Sequence, residues 1–437
     1  MARWIAEWHP DDPAFWESSG KRVARRNLIF SILAEHLGFT VWTLWSIVAT
    51  KMGSYEFTTD QLFWLVALPN LIGSVLRVPY TFGPAKIGGR NFTVVSATLL
   101  LIPAVLLSVA VNNPGTPYWL FLVIAALAGF GGGNFASSMA NITYFYPRNK
   151  QGVALGLNAA GGNIGVSSVQ LVMPLVIGSL GLAAAGWFWI PFIVVAAACA
   201  FFFMDNLTSA KANPRQQLAV AGKAQTWIMS FLYIGTFGSF IGYSTAFPLL
   251  SKSLFPDAPY TAVAFAGPLI GSLIRPVGGW LADKLGGAPV TLWNFAAMGG
   301  GVLLVWLAST SGNFWMFFLA FQLLFLTAGI GNGSTYRMIP AIFQAKAVAE
   351  RGDETEETLL YGKRQASAAI GIISAVGALG GFLINRAFGM AFAAAGTPAP
   401  AFLAFGVFYL SCLALTWWCY TRTVGVKVVA SLAYARI

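Results

Sequence analysis

Charge is what this sequence has least of. Only 9% of its 437 residues are Asp, Glu, Lys or Arg, against about 25% in ordinary soluble chains, so it is built for a solvent other than water. Histidine is nearly absent. With His9 and His36 alone, no metal-ligand spacing or nucleophile triad can be assembled, so neither an enzyme nor a cofactor or metal site is expected. The three cysteines, Cys199, Cys412 and Cys419, fall inside apolar runs and suit small core residues better than a disulfide framework. No long polar stretch remains for a separate soluble domain. The N-terminal segment also lacks the short apolar core of a signal peptide: Met1 to Arg26 is polar, mixed in charge and carries Trp4, Trp8 and Trp16.

What the chain does have is hydrophobic length. Hydrophobic residues make up 57% of it, and apolar runs of about 20 residues, enough to cross a bilayer as helices, recur from end to end. Twelve spans are expected, centred near residues 38, 71, 101, 130, 165, 193, 238, 271, 298, 327, 376 and 411. Each must satisfy its own backbone hydrogen bonds in lipid, so the expected class is all-α. The net charge of +11 reads as topology, and no nucleic-acid partner is expected. Lys21, Arg22, Arg25 and Arg26 precede the first span. Lys86 and Arg90, Arg148 and Lys150, and Lys211, Arg215 and Lys223 occupy alternate loops. Lys284, then Lys346, Arg351, Lys363 and Arg364, then Arg422, Lys427 and Arg436 continue on that side. The opposite loops offer little beyond Lys51, Lys252 and Arg386. By the positive-inside rule, both termini are cytoplasmic.

The chain is also duplicated. Leu71-Ile-Gly-Ser-Val-Leu-Arg77 returns as Leu269-Ile-Gly-Ser-Leu-Ile-Arg275, and Lys86 and Lys284 each follow the arginine by nine residues. Ala128-Gly-Phe-Gly-Gly-Gly133 returns as Ala328-Gly-Ile-Gly-Asn-Gly333. These repeats predict two pseudo-symmetric six-helix bundles, residues 27–204 and 225–422. A cytoplasmic linker over 205–224 joins them, and cytoplasmic tails cover 1–26 and 423–437. Parallel repeats of this kind are a transporter architecture.

Gly279-Trp-Leu-Ala-Asp283-Lys284-Leu-Gly286-Gly287 resembles the cytoplasmic loop signature of the major facilitator superfamily. The first-half copy, Lys86-Ile-Gly-Gly-Arg90, is degenerate, with Ala85 where the signature has Asp. Gly133-Asn-Phe-Ala-Ser-Ser-Met-Ala-Asn-Ile142 resembles the signature of the nitrate/nitrite porter family within that superfamily. So do Arg77-Val-Pro-Tyr80, Thr236-Phe-Gly-Ser-Phe-Ile-Gly242 and Asp12-Pro-Ala-Phe-Trp16. The resemblance implies a secondary transporter of nitrate and nitrite in a bacterial-type inner membrane, with a monomer as its working unit. It also implies an anion site in which Phe135, Tyr233 and Phe237 sandwich the flat ion while Asn163 and Ser374 add polar contacts.

The arginines support an anion site independently. Arg77 and Arg275 lie about 13 Å from the cytoplasmic rim at the helical rise, near the middle of a core about 30 Å thick. A charge there costs at least about 2.5–3.5 kcal/mol and is functional by default. Of fifteen acids, Glu35 alone lies deep in a span. A planar, permanently charged guanidinium donates two parallel hydrogen bonds to an oxyanion, and nitrate and nitrite present paired oxygens in a plane. Snorkelling to the rim is the bland alternative, and it is the expected behaviour of Arg337 and Arg386 near their span ends. Tyr233 and Phe237, four apart, are expected on one helix face.

Glycine-rich runs recur at 129–133 and 156–165, and again at 329–338 and 371–381. They either pack helices closely or also let Gly161, Gly162, Gly377 and Gly380 slide during transport. Glu35 and His36 are the candidates for proton coupling, since a buried carboxylate favours its protonated form; alternatively, Glu35 is a counter-ion to a site arginine. Ala34-Glu-His-Leu-Gly-Phe39 resembles the subgroup of the family assigned to proton-coupled uptake. The expectation is proton-coupled nitrate uptake, with nitrate/nitrite exchange as the alternative. A sugar or drug carrier would line its site with Asn, Gln and acids instead of paired arginines, and a sensor would be expected to add a soluble domain.

Overall fold

A computed structural model describes residues 4–147, 149–210, 219–422, 432 and 437. Arg148, Lys211, Arg215, Lys427 and Arg436, counted above in the charge pattern, lie outside the described residues, as do parts of the expected linker and tails. Among the described residues, eleven helices are long and apolar enough to cross a membrane: Pro13–Lys51, Thr59–Ile87, Gly89–Ala110, Tyr118–Phe145, Gln151–Leu180, Ala184–Phe203, Tyr260–Leu285, Gly287–Thr310, Phe314–Arg351, Glu356–Ala395 and Ala399–Thr421. The remaining expected span is also helical, as Ala224–Tyr233, a π turn over Ile234–Gly238, and Ser239–Leu254. Its many Ser, Thr, Gly and Tyr residues keep it from reading as a membrane helix by composition. Counting it, there are twelve helical segments, numbered here in chain order.

The chain divides into two compact units. One comprises Met1–Asn213, Thr245–Leu249 and Pro259–Phe265, and the other Pro214–Ser244, Leu250–Ala258 and Ala266–Ile437. The repeat seen in the sequence recurs in the backbone. The second segment ends at Gly88 with φ +91, and the eighth ends at Gly286 with φ +90. Each is followed at once by a glycine that opens the next helix. Only glycine adopts this conformation without strain. The following glycines are needed for space: a β-carbon would strike the Asn141 side chain at Gly89 and the Met338 side chain at Gly287.

Helix starts are capped where the sequence supplies a cap. Thr58 and Gln61 form a reciprocal capping box on the second segment, and Asn313 and Thr355 cap the tenth and eleventh. The tenth and eleventh helices, at 38 and 40 residues, reach about 57–60 Å at the helical rise. They are therefore longer than a hydrocarbon core of about 30 Å. Large apolar side chains such as Leu175, Trp293 and Leu319 stand exposed, as lipid-facing residues do. The core of the first unit is built from Leu37, Trp45, Leu65, Phe121, Met173 and Ile193.

From Trp4 onward the N-terminal segment packs against the rest of the first unit. Trp4 and Ile5 pair in parallel with Asn206 and Leu207. Trp8 and Trp16 are buried with Phe145 and Leu207 in a small aromatic cluster. Asp205 accepts hydrogen bonds from Arg26 at 2.6 Å and Asn27 at 2.9 Å, and its backbone N–H donates to Asn27 Oδ1 at 2.9 Å. One cation differs from the sequence reading. Arg90, counted as a loop charge, is buried, donates to the Phe201 carbonyl at 2.7 Å and lies 4.4 Å over the Phe201 ring. Arg337, expected to snorkel, is more than half exposed and pairs with Asp283, the acid of the loop signature. Both partners are more than half exposed, so the pair adds little stability.

Candidate functional site

In the first unit, Arg77 is fully buried. Its Nε donates to the Gly132 carbonyl at 3.2 Å, and its guanidinium lies 4.5 Å from the Phe135 ring and 5.5 Å from that of Trp42. The glycine-rich fourth segment makes this possible. A β-carbon at Gly132 would meet the Trp42 indole and the Gly73 backbone, so the second and fourth segments approach through glycine alone. Trp42 is itself fixed by donating Nε1–H to the Pro69 carbonyl at 2.9 Å. Desolvated cation–π contacts of this kind are worth about 2 kcal/mol, and they leave the planar face and edges of the cation defined. Phe135 thus joins Arg77 as the sequence suggested, while Trp42 was hidden among 16 tryptophans.

In the second unit, Arg275 is half-buried, with its guanidinium 5.4 Å over the Tyr336 ring. Its Nη1 is buried and has no hydrogen-bond partner among the described residues. Tyr233 and Phe237 stack at 5.4 Å with planes only 14° apart, and Tyr336 lies 6.4 Å from Tyr233. The π turn over Ile234–Gly238 aligns the stack. Such turns concentrate at functional sites because one extra residue re-aims the side chains. The two rings rest on one another, leaving no slot between them. A β-carbon at Gly377 would run into the Tyr233 ring, and Gly238 and Gly380 touch backbone to backbone. Ser374 donates to the Gly371 carbonyl at 3.1 Å.

The fifth segment carries a second polar group of the first unit. Asn163 is fully buried, and neither atom of its side-chain amide has a hydrogen-bond partner among the described residues; leaving both unmet costs about 1–3 kcal/mol each. Glu35 is buried and accepts from Asn158 Nδ2 at 2.7 Å, while the same nitrogen donates to Ser138 at 2.5 Å. A β-carbon at Gly162 would strike the Glu35 carboxylate, and one at Gly161 the Ile32 side chain. His36 Nδ1 lies 3.0 Å from the Gly161 carbonyl. Glu35 and His36 therefore both reach the fifth segment but at different residues. Asn158, Ser138 and Tyr336 were not picked out from the sequence, since Asn and Ser recur throughout these helices.

Duplicated helical bundles, a buried arginine in one and an arginine with an unmet donor in the other, and aromatic rings beside each define a polytopic membrane carrier. The profile of the Major Facilitator Superfamily matches residues 29–353. The chain is 46% identical over 444 residues to the nitrate/nitrite transporter NarU of Salmonella typhimurium, covering 96% of each chain. It is 45% identical to NarU of Escherichia coli with the same coverage. To the probable nitrate/nitrite antiporter NarK2 of Thermus thermophilus it is 37% identical, over 96% of this chain and 97% of that one. The chain belongs to the Major Facilitator Superfamily and, within it, to the nitrate/nitrite porter family.

Proposed function

We propose that this protein carries nitrate and nitrite by alternating access as a secondary active transporter. It works as a monomer in a bacterial-type inner membrane, with both termini in the cytoplasm. The two bundles correspond to residues 27–204 and 225–422, linked through 205–224. Arg77 and Arg275 both act on the anion, Phe135, Tyr233 and Phe237 supply aromatic faces, and Asn163 and Ser374 supply polar contacts. The observation that carries this reading is the buried Arg275 Nη1 with no acceptor among the described residues, beside Tyr336, which itself lies near Tyr233 of the Tyr233–Phe237 stack. An oxyanion would supply the missing acceptor through a charge-assisted hydrogen bond, and aromatic faces favour a planar, weakly hydrated ion over tetrahedral phosphate or sulfate. Relatives whose names give nitrate and nitrite as cargo support that choice.

Coupling runs through Glu35, with His36 beside it, and drives nitrate uptake with protons. A carboxylate buried within a span is costly when ionised, so it takes a proton from one side and releases it to the other as access changes. The test is accumulation of nitrate in proteoliposomes under an inward proton gradient with no nitrite inside. Wild type concentrates nitrate and Glu35→Gln does not; equal accumulation by both, or none by wild type, removes Glu35 from coupling. Exchange of nitrate for nitrite without protons is the second reading, favoured by the relative named as a probable antiporter.

A further inference from the structure

A cavity of about 10 Å³ lies within the first unit, walled by Glu35, Thr93, Ser96, Asn134 and Ser137, with Ser31 and Ser138 alongside. It holds one water-sized occupant. The lining is decided by where its protons already go. Thr93 Oγ1 donates to the Gly89 carbonyl at 2.8 Å, Ser96 Oγ to the Thr93 carbonyl at 3.2 Å, and Ser137 Oγ to the Asn134 carbonyl at 3.1 Å. These three hydroxyls therefore present lone pairs to the cavity, not protons. Ser138 accepts from Asn158 at 2.5 Å and shares a proton with Ser31 at 2.8 Å. Asn134 is 3% exposed, and neither its amide nitrogen nor its amide oxygen has a hydrogen-bond partner among the described residues. Its Oδ1 and the Glu35 carboxylate add further acceptors, against the two N–H donors of its Nδ2.

Acceptors thus outnumber donors around a space for one particle. A single water donates only two hydrogen bonds and would leave buried oxygens unmet, at a cost for each. A small cation meets oxygens in every direction. One carboxylate among neutral oxygens matches a single positive charge, whereas calcium sites gather more acids. The absence of sulfur and imidazole from this wall disfavours soft transition metals. We infer that this cavity binds one monovalent cation of sodium size, held by Glu35, Asn134 and the lone pairs of Thr93, Ser96 and Ser137. The site shares Glu35 with the coupling role proposed above but does not depend on it. It is read by binding alone, without nitrate or a proton gradient, so either assignment can fail while the other stands.

The test uses the purified full-length protein in detergent at fixed pH and ionic strength. Sodium chloride is exchanged stepwise for choline chloride, thermal unfolding is followed by tryptophan fluorescence, and binding is read with radioactive sodium. Expected is a saturable rise in melting temperature, with one sodium bound per chain. Ser96→Ala and Thr93→Val, whose hydroxyls bond only within their own helix, weaken sodium affinity by roughly tenfold or more. Glu35→Gln abolishes binding. Melting curves that do not differ between sodium and choline, an equal response to potassium, or unchanged sodium affinity in the folded Ser96→Ala and Thr93→Val variants would overturn the site.

Discussion

Arg77 and Arg275 hold equivalent places in the duplicated sequence but meet different surroundings. Arg77 is fully buried, anchored to the Gly132 carbonyl and caged by Phe135 and Trp42. Arg275 is half-buried over Tyr336 with a donor unmet. Replacing either by Lys keeps the charge and loses the planar fork. Losing a charged hydrogen bond of about 1.5–3 kcal/mol predicts nitrate binding weaker by roughly 10–100-fold, measurable by calorimetry or tryptophan quenching. Wild-type affinity in both variants would remove the arginines from the site. Both positions could be read from the sequence because a charge inside an apolar run stands out. Trp42, Tyr336 and Asn158 could not, because aromatic and amide side chains are common here and their roles depend on which helix faces they meet.

At the scale of helices, glycine sets the distances. Gly377 faces the Tyr233 ring and Gly380 meets the Gly238 backbone, whereas Gly161 faces only the Ile32 side chain. Gly377→Leu therefore displaces Tyr233 and abolishes flux in a protein that still purifies. Gly161→Leu is expected to impair transport less, since it meets a single aliphatic side chain and no ring of the proposed site. Normal flux through Gly377→Leu would show that this close approach is dispensable. Spacing foretold that Tyr233 and Phe237 share a face, but not the π turn that stacks them, since nothing in Ile234–Gly238 marks a register change in sequence. The N-terminal segment was also illegible. Its pairing with Asn206–Leu207 and the packing of Trp8 and Trp16 on Phe145 and Tyr146 are contacts between residues far apart in the chain, and composition made it a tail. Asn27 bridges to Asp205 through both atoms of its amide. Asn27→Ala leaves that buried acid short of partners and is expected to cost about 1–3 kcal/mol, seen as a lower melting temperature in detergent.

For the whole molecule, the duplication and the twelve helical segments followed from hydropathy and repeats, because the bilayer admits few solutions. The seventh segment is the instructive exception. Its apolar run centred near residue 238 was read as a span, and the segment is helical but falls short of the apolar character of the other eleven, with Tyr233 and Phe237 on it. The central claim is that this carrier moves nitrate and nitrite, and it is tested most directly in liposomes. Protein reconstituted into vesicles loaded with nitrite is placed in dilute labelled nitrate with the proton gradient collapsed. Nitrate should enter faster than into protein-free vesicles or vesicles carrying Arg275→Lys, and external nitrite, but not sulfate or phosphate, should compete. Influx no faster than in protein-free vesicles, both here and under an inward proton gradient, or equal competition by sulfate, would contradict the account.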